Sequence, residues 1–219
     1  TTVIATPFVV SCISFRNGCN IIVFCLSWFF GIHGGSVVFT AIMPLYIAAY
    51  ATNAELAVAG KELVFNPIFL YDAVSRYWED QETHYHYDVM GLKSKSKQIS
   101  AVSKAALVPG LFNINEPAIF GFPIMYNPIL LIPFTLNSLV VMGFMYVAYK
   151  FGLMSLPQVL IMTTLPVGIQ SLMSTLDWRN VVFALLMFPV VYLIYLPFFK
   201  IYEKQCIAKE ATEEVEVSE

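Results

Sequence analysis

The amino-acid sequence predicts an all-α integral membrane protein, with several transmembrane helices and broken or re-entrant helical hairpins around a polar site at mid-membrane. Three observations carry that expectation. Of the 219 residues, 58% are hydrophobic and 12% charged, against about 45–50% and about 25% in soluble domains. Mean hydropathy is +0.70. Glycine and proline cluster inside the apolar stretches, as in "GIHGG" (31–35) and "NEPAIFGFPIMYNPILLIP" (115–133), instead of punctuating their ends. A formal net charge of -3, with no basic stripe carrying interleaved aromatics, excludes nucleic acid as a partner.

The elements follow in chain order. "TTVIATPFVV" lacks a Met, a basic leader and a small-residue cleavage site, so it is not expected to be a signal peptide and reads as a sequence entered in its middle. Cys12, Cys19, Cys25 and Cys206 form no CxxC pair and are expected to act as small hydrophobes, not as metal ligands or disulfide partners. Residues 21–50 are apolar, but three glycines around His33 predict a break or close helix contact at 31–35. "GLKSKSKQISAVSK" (91–104) holds four lysines and no acid, which places that loop on the cytoplasmic side.

Pro117, Pro123, Pro128 and Pro133 punctuate residues 111–133, and an interior proline costs a helix about 3 kcal/mol or more. No straight span is expected there. Irregular backbone at membrane depth must be buried in protein or line a wet cavity, so this segment is assigned to a re-entrant or discontinuous element. Ordinary spans are expected at 136–153 and 181–199, with a second broken piece at 157–176 around Pro166. Asp177 is placed to cap the last helix. Residues 1–202 form the membrane body, and 203–219 read as a polar, solvated or frayed tail.

An ionisable group inside such a sequence is costly and usually faces a pathway or a ligand. Glu116 is the first candidate, with Asn115 beside it; a purely structural carboxylate held at a helix end is the other use. Broken helices expose backbone groups at mid-membrane where a polar substrate can replace water, and Asn115 and Glu116 would offer donors and acceptors to sugar hydroxyls. As the catalytic candidate, Glu116 would accept a proton from a hydroxyl being activated. His33 is the second candidate, with Gly34 letting a ligand approach its backbone; a core histidine is the alternative. Trp28, Phe29 and Phe30 offer a stacking face or simply core packing. "HYHYD" (84–88) has His-x-His spacing but no third ligand, so neither metal nor other cofactor is assigned.

Five stretches carry a resemblance: "WFFGIHGGSVV" (28–38), "KSKQ" (95–98), "PGLFNINEPAIFGFPIMYNPILLIPF" (109–134), "DWRN" (177–180) and "YLPFFKIYEKQ" (195–205). In this order they resemble the membrane-embedded IIC subunit of the phosphoenolpyruvate-dependent sugar phosphotransferase system, of lactose/cellobiose (chitobiose) type, over its C-terminal half. The resemblance implies an all-helical, multi-pass homodimer in the bacterial cytoplasmic membrane, each protomer holding a β-linked disaccharide. The IIC subunit is not itself phosphorylated in that family. A cytoplasmic IIB partner, supplied by IIA, phosphorylates the sugar on its 6-hydroxyl, beside the positions matched by His33 and Glu116, with Asn115 carried over from the same triplet.

One stretch departs from that family. At 78–98 its members carry a Gly-rich apolar membrane segment, whereas here the sequence reads "WEDQETHYHYDVMGLKSKSKQ". Compensating frameshifts over residues 79–89 would give such a change, and the acids at 79, 80, 82 and 88 are costly in lipid, so the segment is expected to be extruded to water. The alternatives to a transporting permease are therefore a truncated, non-transporting remnant of one, or an unrelated membrane enzyme using Glu116 and His33.

Overall fold

The computed structural model describes residues 22, 25–32, 34–70, 82–112, 114, 116–122, 126–161, 165, 166 and 168–218. Among them every regular element is helical. A helical turn over 25–29 ends at Gly31, whose φ of 76° lies in the left-handed region that glycine alone enters freely. Helix α1 (Gly34–Val58) then starts, so the chain does break within "GIHGG". Buried Asn53 ties the end of α1 to two connecting segments: its Nδ2 donates to the Pro157 carbonyl (3.1 Å) and its Oδ1 accepts from the Val64 amide (3.0 Å).

Helices α2 (Glu82–Gly91) and α3 (Lys97–Leu111) form a hairpin, and α4 (Glu116–Gly121) packs on both. Two glycines allow the close approach. Gly91 lies so close to the Ser103 side chain, and Gly121 to that of Val102, that a side chain at either glycine would have to displace its neighbour. The Phe112 amide donates back to the Pro109 carbonyl at the end of α3 (2.9 Å), where the chain turns toward α4.

Helix α5 (Pro128–Lys150) is 23 residues long, about 35 Å at the helical rise. It starts eight residues before the span expected from Leu136. Asn127 caps it by accepting from the Ile129 amide (3.1 Å), and Pro128 occupies the first turn, where its missing N–H costs nothing. The prolines of this stretch thus act by position: Pro128 begins a helix and Pro133 is carried within it. Between Lys150 and α6 (Ile169–Thr175) none of the described residues is in a helix, Pro166 among them, in line with the broken piece expected there.

Helix α7 (Trp178–Ser218) has 41 residues, about 60 Å, twice the hydrocarbon thickness of a bilayer. Asp177 opens it as predicted. Its Oδ1 accepts from the Arg179 amide (2.9 Å), and its Oδ2 accepts from the Arg179 guanidinium (2.7 Å) and from the Ser155 hydroxyl. The guanidinium hydrogen bond holds this carboxyl well below the usual carboxylate range. α5 and α7 are the two described helices long and apolar enough to cross a membrane, and they pack against each other.

Two expectations fail here. The segment expected in water forms, over its described residues, α2, which is buried in its middle: His86 and Tyr87 are 0% exposed and Asp88 1%. Aromatic contact explains the burial. The His86 ring stacks on Phe188 (3.9 Å between centroids), with its Nε2 2.7 Å from the Phe188 carbonyl oxygen, so that nitrogen carries the proton and donates. Tyr87 stands edge-on to Tyr195 (4.7 Å). Asp88 is accommodated less well, since neither of its oxygens has a hydrogen-bond partner among the described residues.

The second failure is the tail. Residues 203–218 continue α7 and dock on the lysine-rich loop. Glu203 accepts from the Ser94 hydroxyl (2.6 Å) and the Lys95 amide (3.0 Å). Glu210 accepts from the Ser96 hydroxyl (2.6 Å) and from the amides of Lys97 (3.1 Å) and Gln98 (2.9 Å). Those amides open α3 and have no partner within it, so a carboxylate on α7 caps another helix. Ser96 completes the cap by accepting from the Ile99 amide (3.2 Å).

Candidate functional site

The site expected from sequence is split between two breaks, the "GIHGG" turn and the "NEP" segment; the fold ties the first to the turn that follows α4, the short helix beginning at the second. The Tyr126 amide donates to the Phe29 carbonyl (3.0 Å), and its hydroxyl donates to the Phe30 carbonyl (3.3 Å). Its ring lies 5.8 Å from that of Phe29 and 6.4 Å from that of Phe30. Tyr126 adopts a φ of 57°, uncommon for a bulky residue, and this turn aims both its amide and its ring at the first break. Backbone carbonyls near a helix end lack partners inside the helix, so Tyr126 satisfies groups that a continuous helix would have satisfied itself.

The candidate residues sit on or beside these breaks. Glu116 is the first residue of α4, followed by Pro117 in the first turn, where proline is tolerated. Gly34 is the first residue of α1. His33, Asn115 and the side chain of Glu116 lie outside the described residues, so the structure places the helix starts that carry them, not their contacts.

The aromatic cluster divides. Trp28 is 5% exposed and belongs to the core, whereas Phe30 is 56% exposed at the mouth of the break. Tyr126 joins it there, 68% exposed. Sequence reasoning missed Tyr126; its signal is a tyrosine directly before the Asn-Pro pair that starts α5. Within "HYHYD", His86 Nε2 donates to the Phe188 carbonyl, and the side chain of His84 lies outside the described residues. Cys25 is buried beside Ser138, as a small core residue would be. Cys12 and Cys19 lie outside the described residues.

The described residues thus form an all-helical fold with two membrane-length helices and broken elements beside them. Residues 17–138, just over half of the chain, match the family described as "Phosphotransferase system, EIIC". The chain belongs to that family. Among similar curated proteins are the PTS system oligo-beta-mannoside-specific EIIC component of Bacillus subtilis (strain 168), 33% identical over 86% of this chain and 43% of its own length, and the PTS system lactose-specific EIICB component of Lacticaseibacillus casei, 34% identical over 85% of this chain and 33% of its own. The crystal structure of the transporter ChbC, the IIC component from the N,N'-diacetylchitobiose-specific phosphotransferase system, superimposes with a TM-score of 0.86 at 27% identity, over 95% of this chain and 49% of ChbC. The chain thus spans less than half the length of these relatives.

Proposed function

We propose that this chain is the sugar-holding part of a permease that carries a short β-linked saccharide across the bacterial cytoplasmic membrane. Membership of the EIIC family supports the reading, as do the sugars named for its relatives: oligo-beta-mannoside, lactose and N,N'-diacetylchitobiose. The observation that carries it is the tie of the first break to the turn after α4 through Tyr126, because Gly34 starts the helix after that break and Glu116 starts α4.

In this reading Glu116, Asn115 and His33 hydrogen-bond the sugar, with Gly34 leaving room for it and Phe30 and Tyr126 offering ring faces at the mouth. The Glu116 carboxylate would accept a hydrogen bond from one hydroxyl. When the sugar reaches the cytoplasmic side, Glu116 takes the proton of the 6-hydroxyl as a phosphorylated IIB partner, recharged by IIA, transfers its phosphoryl group there. The subunit works as a homodimer within the bilayer.

The test compares Glu116→Gln with the parent protein in membranes, measuring radiolabelled cellobiose binding and phosphorylation by added IIB. Loss of both at equal expression supports the assignment. Unchanged binding and turnover in that variant would contradict it.

A further inference from the structure

The candidate sugar site makes no use of a groove between α2 and α7. This groove encloses about 220 Å³. Its walls are apolar and aromatic, formed by Met90 on one side and Tyr192, Leu196 and Phe199 on the other. At its rim stand Lys93 and Lys200, both exposed. Neither ammonium has an ion-pair partner among the described residues. Glu203 also borders the groove, but its Oε1 is held by the Ser94 hydroxyl and the Lys95 amide. The rim therefore carries two positive charges against one negative charge that is turned to the loop.

The level of the groove is fixed by the chain on both sides. Lys200 directly follows the apolar run 181–199, and Lys93 follows the end of α2 in the lysine-rich loop assigned to the cytoplasm. Both lysines thus stand where a bilayer's headgroups meet water, above walls at the depth of its acyl chains. Long cationic side chains favour that position, and basic pockets between helices on the cytoplasmic side take anionic headgroups. The surface leading out of the groove remains apolar, with Leu193 66% and Ile201 49% exposed on α7.

We propose that this groove binds an anionic phospholipid, with its phosphate between Lys93 and Lys200 and an acyl chain along Met90, Tyr192 and Leu196. This lipid site is independent of the sugar site. Bound there, the lipid would join the end of α2 to α7 beside the docked tail, on the cytoplasmic face.

The test uses the full protein purified in detergent and native mass spectrometry with phosphatidylglycerol or phosphatidylcholine of identical chains. The parent should retain phosphatidylglycerol about tenfold more than phosphatidylcholine. Lys93→Gln/Lys200→Gln should lose the preference without changing the melting temperature in phosphatidylcholine, and Lys93→Arg/Lys200→Arg should keep it. Equal retention of the two lipids by the parent overturns the proposal. So does an undiminished preference in the glutamine variant, or full competition by soluble glycerophosphate, which would make the ligand a free phosphate compound.

Discussion

Helix α2 and the last third of α7 are two polar stretches that are both ordered, and they are so by opposite means. α2 buries three polar residues: His86 and Tyr87 lie against rings of α7, and Asp88 is buried with them. The end of α7 keeps its charges outside and lends two carboxylates to the loop before α3. In the first case order comes from apolar contact by aromatic faces and tolerates an unpartnered acid. In the second it comes from hydrogen bonds to amides that would otherwise face water. Polarity alone therefore does not tell whether a segment is solvated; what matters is whether its rings or its carboxylates have a partner.

The sharpest way to break this contrast is within α2. Tyr87→Ala removes a fully buried ring that touches Tyr195, Phe122 and Phe199, a truncation that costs about 3 kcal/mol or more in a packed core. It should lower the melting temperature of the detergent-solubilised protein more than any single substitution in the tail. Asp88→Asn, by contrast, should leave that temperature unchanged or raise it, because an unpartnered buried carboxylate is more costly than an amide.

At the tail the effects are smaller and local. Glu210→Ala removes an acceptor from the start of α3 and should cost about 1 kcal/mol, as lost helix caps do. Hydrogen exchange should show it as faster exchange at the amides of Lys97 and Gln98. The same amides give a pH test. The Glu210 carboxyl is held below its ordinary value of 4.5, chiefly by the Ser96 hydroxyl and then by the Gln98 amide. A depressed carboxyl stabilises above its unfolded value and loses that contribution as pH falls through its folded one. Protection at 97 and 98 should thus be level between pH 6 and 8 and fade below 4.5.

Smaller still is Lys97→Gln. Its ion pair with Glu214 spans 2.6 Å, yet the two side chains are 82% and 66% exposed, and exposed pairs contribute about 1 kcal/mol at most. No change in melting temperature is expected at physiological salt.

These contrasts also show what is legible in the sequence. The break at 31–35, the capping role of Asp177 and the irregular stretch around Pro166 follow from backbone chemistry within a few residues, so local reading reaches them. The start of α5 lies earlier than expected because proline breaks a helix only in its interior, whereas Pro128 sits where its ring favours one. The order of α2 and of the tail depends on Phe188, Tyr195, Ser94 and Ser96, each about a hundred residues away. Nothing local announces such partners. Among the candidate residues, Glu116 and Gly34 stand out in the sequence as a charge and a glycine in an apolar run, while the contacts of Tyr126 with Phe29 and Phe30 become visible only in the fold.

If these breaks hold a sugar, Glu116 holds its reacting hydroxyl, and binding of radiolabelled cellobiose to membranes containing the parent protein or Glu116→Gln tests this most directly. The parent should bind saturably, and binding should fall at least tenfold in the variant, as when a charged partner is removed from a buried hydrogen bond. Equal binding by both proteins at equal expression would contradict it.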